Sequence, residues 1–131
     1  DTGGESIRSV IDRRGDRLKT VAHLPRIEFV KWMATADVMV GNSSSGIIEA
    51  ATFGTPVVNI GDRQYGRERS DNVIDVVVDA VSIEQAVRLS ISEERKNTEN
   101  IYGDGHAGRR IVNLLSSLVL DERLLAKSNA Y

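Results

Sequence analysis

The sequence predicts an α/β fold, helices layered on a parallel sheet, and three observations carry that expectation. Short, β-branched apolar runs of strand length alternate along the chain with segments of helical period. Two of these runs, 38–40 and Val57–Ile60, are joined through a polar turn, a short helix and a Gly54-Thr55-Pro56 turn, the make-up of a βαβ unit. Both runs lack the polar alternation of a half-exposed strand, as parallel strands covered on two faces do.

The centre of that unit is the turn Gly41-Asn42-Ser43-Ser44-Ser45-Gly46. Three hydroxyls and an amide between two glycines allow the backbone to turn sharply and present polar groups beyond the strand's carboxyl end. A helix expected to start near Gly46 would aim its free N–H groups and the positive end of its dipole back at the serines. Capping is the plain alternative, and one serine satisfies it. Three serines, with Glu49 a turn into the helix, exceed that need and mark a candidate phosphate or nucleotide site.

In chain order, 5–14 reads as an amphipathic helix through Ile7, Val10 and Ile11, closed by Gly15. A strand is expected over 18–23, stopping before Pro25, with His23 a turn histidine at its end. Residues 27–36 form a helix with Ile27, Val30, Met33 and Ala34 on the core face, leaving Phe29 and Trp32 off it. The polar loop 61–70 carries Arg63, Arg67 and Arg69. Arg63 directly follows the strand Val57–Ile60, so it should meet the serine turn from the neighbouring loop; for Arg67 and Arg69, surface ion pairs are an equal alternative. A fourth strand spans 73–78, and Ser82-x-x-Gln85 suggests a capping box opening the next helix. The stretch 93–100 is polar surface, 101–106 a glycine-flanked turn, and Ile111, Val112, Leu114, Leu115, Leu118 and Val119 give the following helix a strong apolar face. The tail 121–131 is expected to add a helical turn.

Composition narrows the function classes. Seventeen basic against nineteen acidic residues, a formal charge of −2, leave no electrostatic footprint for nucleic acid. Without cysteine there is no disulfide framework, thiolate nucleophile or Cys-based zinc site, and a lean to the cytosol. No apolar run approaches the roughly 20 residues that span a bilayer. The opening Asp1-Thr2-Gly3-Gly4 reads as a turn that follows a strand, so residues 1–131 are expected to be one incomplete domain of a longer protein.

GNSSSGIIEAATFGTPVVNIGDRQYGR and, later, IYGDGHAGRRIV resemble the nucleotide-binding half of the hydrolysing UDP-N-acetylglucosamine 2-epimerases. Asn-Ser-Ser-x-Gly, Gly-Thr-Pro, Asn-Ile-Gly-x-Arg-Gln and Tyr-Gly-Asp-Gly occur in that family's order, and the likeness covers nearly the whole chain. The non-hydrolysing branch resembles Asp-Ser-Gly-Gly at the first turn and a Thr-Glu-Arg run after the second strand, which this chain lacks. The resemblance implies a Rossmann-like, three-layer parallel sheet, the C-terminal half of a glycosyltransferase-B type fold, with an N-terminal domain outside this chain. It implies a UDP-sugar substrate, no cofactor and no metal, a homo-oligomer at full length, a cytoplasmic location and a place in sialic or nonulosonic acid synthesis. Carried over by motif, Ser43 and Ser44 hold the diphosphate with the helix N-terminus, Asn42, Ser45 and Gly46 belong to the same nucleotide-binding turn, Glu49 accepts from the ribose hydroxyls and Arg63 meets phosphate charge. Leu24 offers backbone groups to the uracil, and Phe29 packs on the base. Neither His23 nor His106 matches the family's catalytic histidine, so no catalytic residue is assigned. Two other classes stay open: the donor domain of a glycosyltransferase of the same fold, and a non-catalytic nucleotide-binding module.

Overall fold

A computed structural model describes residues 4–15, 17–119, 121–122 and 126. Its elements are α1 (Gly4–Arg13), α2 (Arg26–Thr35), β1 (Met39–Gly41), α3 (Ser44–Ile48), a 3₁₀ turn (Ala50–Phe53), β2 (Val57–Ile60), β3 (Val73–Val76), α4 (Ala80–Ser92) and α5 (Ala107–Ser117). The three strands form a parallel sheet in the order β1-β2-β3, with Met39 opposite Val57 and Val57 opposite Val73.

Side chains alternate across a strand, so β2 serves two cores. On one face Val57 packs with Met33 of α2 and Ala50 of the 3₁₀ turn, flanked by Phe29, Met39, Phe53 and Val73. The other face carries fully buried Val58 and, beside it, Ile74. There α4 lies against β2 and β3, buries Ala86, and brings Ser90 to a small cavity shared with Ile74. Helices on both faces of a parallel sheet make this the Rossmann-like, three-layer α/β arrangement expected from the sequence.

Polar side chains pin the layers where backbone groups would otherwise be orphaned. Buried Thr55 donates its hydroxyl to the Met33 carbonyl at 2.7 Å, and Asn72 Nδ2 donates to the Thr55 carbonyl at 2.8 Å. The polar stretch after α4 lies on the surface as expected, yet it also straps the fold. Arg95 donates to the carbonyls of Ala34, at 2.6 Å, and Ala36, satisfying the last turn of α2. Asn100 Nδ2 donates to the Ile48 carbonyl at 2.9 Å and to Thr52 Oγ1 at 2.7 Å.

Several expectations are corrected. Residues 18–23 form no strand: they pair with no neighbour among the described residues, and a strand is defined by its ladder. Leu18 and Val21 are about half exposed there. The last strand stops at Val76, leaving Val77 and Val78 outside the sheet and exposed. Helix α4 is capped by Asp79, whose carboxylate accepts from both the N–H and the hydroxyl of Ser82, each at 2.8 Å. Ser82 is therefore a donor to the cap, because the helix begins a turn earlier than the Ser-x-x-Gln pattern suggests. On α2, Phe29 packs on the core while Ile27 is 62% exposed, so the buried stripe is rotated towards the aromatic. The opening turn at 1–3 and almost all of the tail 121–131 lie outside the described residues.

The hydrogen bonds from the Ser82 backbone and hydroxyl hold Asp79 below its ordinary value of 3.8. A depressed carboxylate adds stability that is present above the unfolded value and is lost as pH falls through the folded one. Asp79→Ala should melt below the wild type at neutral pH, and the gap should close as pH is taken below 3.8. Circular-dichroism melts of both proteins across that range check this; a gap that does not change with pH would contradict the cap's ionised role.

Candidate functional site

The site grows from the way α3 joins β1. Gly41 has φ 146°, a conformation that L side chains rarely adopt, and it lets the chain leave β1 into Asn42 and Ser43. Helix α3 then starts at Ser44, two residues before the expected start near Gly46. The cap is Ser43, whose Oγ accepts from the Ser45 N–H at 3.4 Å and lies 2.8 Å from Ser45 Oγ. Gly46 is buried against the sheet, and a Cβ there would lie 3.0 Å from Val57 Cγ1.

The serines thus divide by role. Ser43 caps the helix and shares a hydrogen bond with the Ser45 hydroxyl. Ser44 is exposed, and its hydroxyl has no hydrogen-bond partner among the described residues. Glu49 does not sit inside a continuous helix: it ends α3 and begins the tighter 3₁₀ turn. It is half-buried, and its Oε2 accepts from Arg26, leaving Oε1 to a further donor. The Arg26 contact joins the start of α2, two residues beyond half-buried Leu24, to the α3 region. Phe29 turns its ring to the core beside Ala50 and keeps part of its surface exposed.

Arg63 is brought to the serine turn from the loop after β2, as its position predicts. Its Nη1 lies 3.4 Å from Asn42 Oδ1 and 3.5 Å from the Asn42 carbonyl oxygen. Arg69 is drawn elsewhere. Its guanidinium pairs with Asp75 at 3.1 Å, the ion-pair reading, and donates to the Gln64 carbonyl at 2.9 Å. Asp75 in turn accepts from buried Asn59 at 2.6 Å. Arg67 stays exposed.

Two residues escaped the sequence reading. Arg26 carries no signal beyond a charge at a helix start. Gln64 is only 4% exposed, in a loop otherwise mostly in solvent, and donates its Nε2 to the Asn42 carbonyl at 2.8 Å; only its place in the Asn-Ile-Gly-x-Arg-Gln motif marked it.

At the second glycine turn, hydrogen bonds from Arg110 hold the Asp104 carboxyl well below the usual carboxylate range. No group of three or more His, Cys, Asp or Glu among the described residues is arranged to hold a metal ion. The enclosed cavity of about 40 Å³ beside Asn72 and Ser90 is far smaller than the roughly 300–1,000 Å³ of ligand pockets. Two open cavities of about 580 and 590 Å³ lie elsewhere, one lined by Asp62, Tyr65, Arg69 and Asp75 and the other by Thr52, Asn100, Asp104 and Arg110. The candidate anion site is instead the exposed surface of Ser44, Arg63 and the free side of Glu49, on two loops and a helix start at the carboxyl ends of β1 and β2.

A sequence profile of the family described as UDP-N-acetylglucosamine 2-epimerase matches residues 1–116. The chain belongs to that family. Two relatives named as hydrolysing enzymes agree with the resemblance to its hydrolysing branch. The whole chain is 47% identical to UDP-N,N'-diacetylbacillosamine 2-epimerase (hydrolyzing) of Legionella pneumophila, covering 35% of that protein. Over 70% of its length it is 37% identical to GDP/UDP-N,N'-diacetylbacillosamine 2-epimerase (hydrolyzing) of Campylobacter jejuni, covering 23%. Over 80% it is 28% identical to UDP-N-acetylglucosamine 2-epimerase of Neisseria meningitidis, covering 28%. The chain spans about a third or less of each of these curated relatives. In this chain the serine turn lies at the carboxyl edge of the sheet, where open α/β folds take their ligands.

The division between Ser43 and Ser44 is testable without ligand. Ser43→Ala removes the cap and should lower the unfolding free energy by about 1 kcal/mol. Ser44→Ala touches no bond of the fold and should stay within about 0.5 kcal/mol of the wild type. Urea titrations followed by circular dichroism measure both.

Proposed function

We propose that this chain is the UDP-binding part of a hydrolysing UDP-N-acetylglucosamine 2-epimerase with glycosyltransferase-B architecture, acting in the cytoplasm at the head of sialic or nonulosonic acid synthesis. The observation that carries the reading is the meeting of Arg63 with Asn42 beside the serine turn, which brings a guanidinium and the serine hydroxyls of a family member to the same sheet edge. In this reading Ser44, the start of α3 and Arg63 hold the diphosphate, with Ser43, Ser45 and Gly46 shaping the turn. Arg63 suits that role because a guanidinium matches phosphate in shape and charge. The Glu49 carboxylate accepts from the ribose hydroxyls through the oxygen that Arg26 leaves open. Leu24 gives backbone groups to the uracil, and the exposed part of Phe29 packs on the base.

The reaction is elimination of UDP across C1 and C2 of the sugar, followed by addition of water to the resulting glycal, so that UDP-N-acetylglucosamine and water give N-acetylmannosamine and UDP. Anchored phosphates stabilise the charge that develops on departing UDP. The C2 proton needs a positioned base, and this chain supplies none by motif; an N-terminal domain across the cleft brings it, and the full-length protein is a homo-oligomer. A second sugar is favoured by one specific finding, the 47% identity to an enzyme named for UDP-N,N'-diacetylbacillosamine. In that version the nucleotide contacts are the same and the sugar carries two acetamido groups.

Calorimetric titration with UDP, GDP and dTDP tests the nucleotide assignment. UDP should bind and free N-acetylglucosamine should not; equal binding of the free sugar would sink the reading. Ser44→Ala and Glu49→Ala should each weaken UDP about tenfold, the loss of one hydrogen bond to a charged group. With either UDP-sugar, the 131-residue chain alone should release no UDP, while the same chain joined to its N-terminal domain should give UDP and a free 2-acetamido sugar. Transfer of the sugar to an acceptor would mean a glycosyltransferase instead, and turnover by the chain alone would overturn the division of labour.

A further inference from the structure

We propose that Gln64 is the positioning residue of the anion site: by tying the loop after β2 to the serine turn, it sets where the Arg63 guanidinium stands relative to the serine hydroxyls. The proposal rests on the nucleotide reading above and adds to it the residue that decides whether phosphate is met from both loops at once.

Five observations carry it. Gln64 is 4% exposed although its neighbour Tyr65 is 90% exposed and Arg63 lies in solvent. An amide is taken out of water at a cost unless it is used, and this one is used across the site: Nε2 donates to the Asn42 carbonyl at 2.8 Å, bridging two loops. From behind, Gln64 is anchored to the sheet, since its own carbonyl accepts from Arg69 at 2.9 Å, and Arg69 is paired with Asp75, which accepts from Asn59 of β2. Arg63, by contrast, holds Asn42 only at 3.4 and 3.5 Å, the weak end of hydrogen bonding, so its place follows from its neighbour rather than from its own contacts. Finally, Gln64 Oε1 is buried without a partner. A half-satisfied buried amide is a poor stabiliser, which separates a device for geometry from a device for stability.

The test is a cycle on the same chain. UDP and uridine are titrated into the wild type, Gln64→Met, Arg63→Ala and the double variant, with thermal melts to confirm folding. Gln64→Met should weaken UDP about tenfold and leave uridine within about twofold. The double variant should bind UDP no more weakly than Arg63→Ala alone, because the effect of Gln64 passes through Arg63. Unchanged UDP affinity in folded Gln64→Met, equal losses for UDP and uridine, or additive losses in the double variant would each overturn the proposal. Should Gln64→Met fail to fold, Gln64→Leu removes the donor in a smaller apolar side chain and adds no charge. Heteronuclear spectra of the Arg63 side-chain N–H read the tie with no ligand: the signal should move in either Gln64 variant, and a signal that stays in place overturns the proposal even where UDP binds. A moved signal in a protein that binds no UDP would overturn the nucleotide reading and leave the positioning of Arg63 standing.

Discussion

The close approach of α3 to β2 is the constraint on which the site depends. At Gly46 the helix backbone lies so near the sheet that a side chain would press on Val57 Cγ1, itself in the core with Met33 and Ala50. A helix seated that deeply must leave β1 at once, which the turn Gly41 to Ser43 accomplishes, and must begin at the sheet's carboxyl edge. The serines are at that edge because the core draws α3 inwards. The place of the candidate site is a consequence of packing: the serine turn sits where a short helix is pressed against a buried strand.

From that seat the polar network spreads outward in an order set by burial. Asn59, one register step from Val58, is buried at the carboxyl end of β2 and must find a partner; Asp75, opposite it in the sheet, provides one. The Asp75 carboxylate then draws Arg69, and Arg69 holds the backbone of Gln64. One arginine of the loop is thereby committed to the fold and another, Arg63, is left facing the serine turn. Identical side-chain chemistry yields opposite roles because only one of the two guanidiniums has a carboxylate within reach.

Most of the fold was legible, and the parts that were not share a cause. The βαβ centre, the one later strand β3 and helices α2 and α4 announce themselves by period, since burial on a face imposes spacing on the chain. The run 18–23 has strand-like residues and no strand, because pairing is a property of neighbours that a single segment does not encode. Asp79 was overlooked as a cap in favour of Ser82, as both residue types fit and only the start of the helix decides. At the site, Arg63 and the serines were legible through the rule that neighbouring strand ends share one crevice. Gln64 and Arg26 were not, because a buried glutamine or a bridging arginine leaves no period and is recognised only when its partner, 22 or 23 residues away, is in place.

Stability is unevenly distributed, and this bears on where binding is possible. The described residues of α1 and α5 are not buried, and Ile7, Val10, Ile111, Val112, Leu114 and Leu115 are each more than half exposed. An amphipathic helix draws most of its stability from the face it buries, so α1 and α5 stand here on local bonds such as Arg110 to Asp104. The layers from α2 to α4 are covered on both sides and pinned by Thr55, Asn72, Arg95 and Asn100. Every residue of the candidate site belongs to those layers or to the loop they anchor. The arrangement of the candidate site is therefore held by the covered part of the molecule, and fraying of α1 or α5 would leave Ser44, Glu49 and Arg63 where they are.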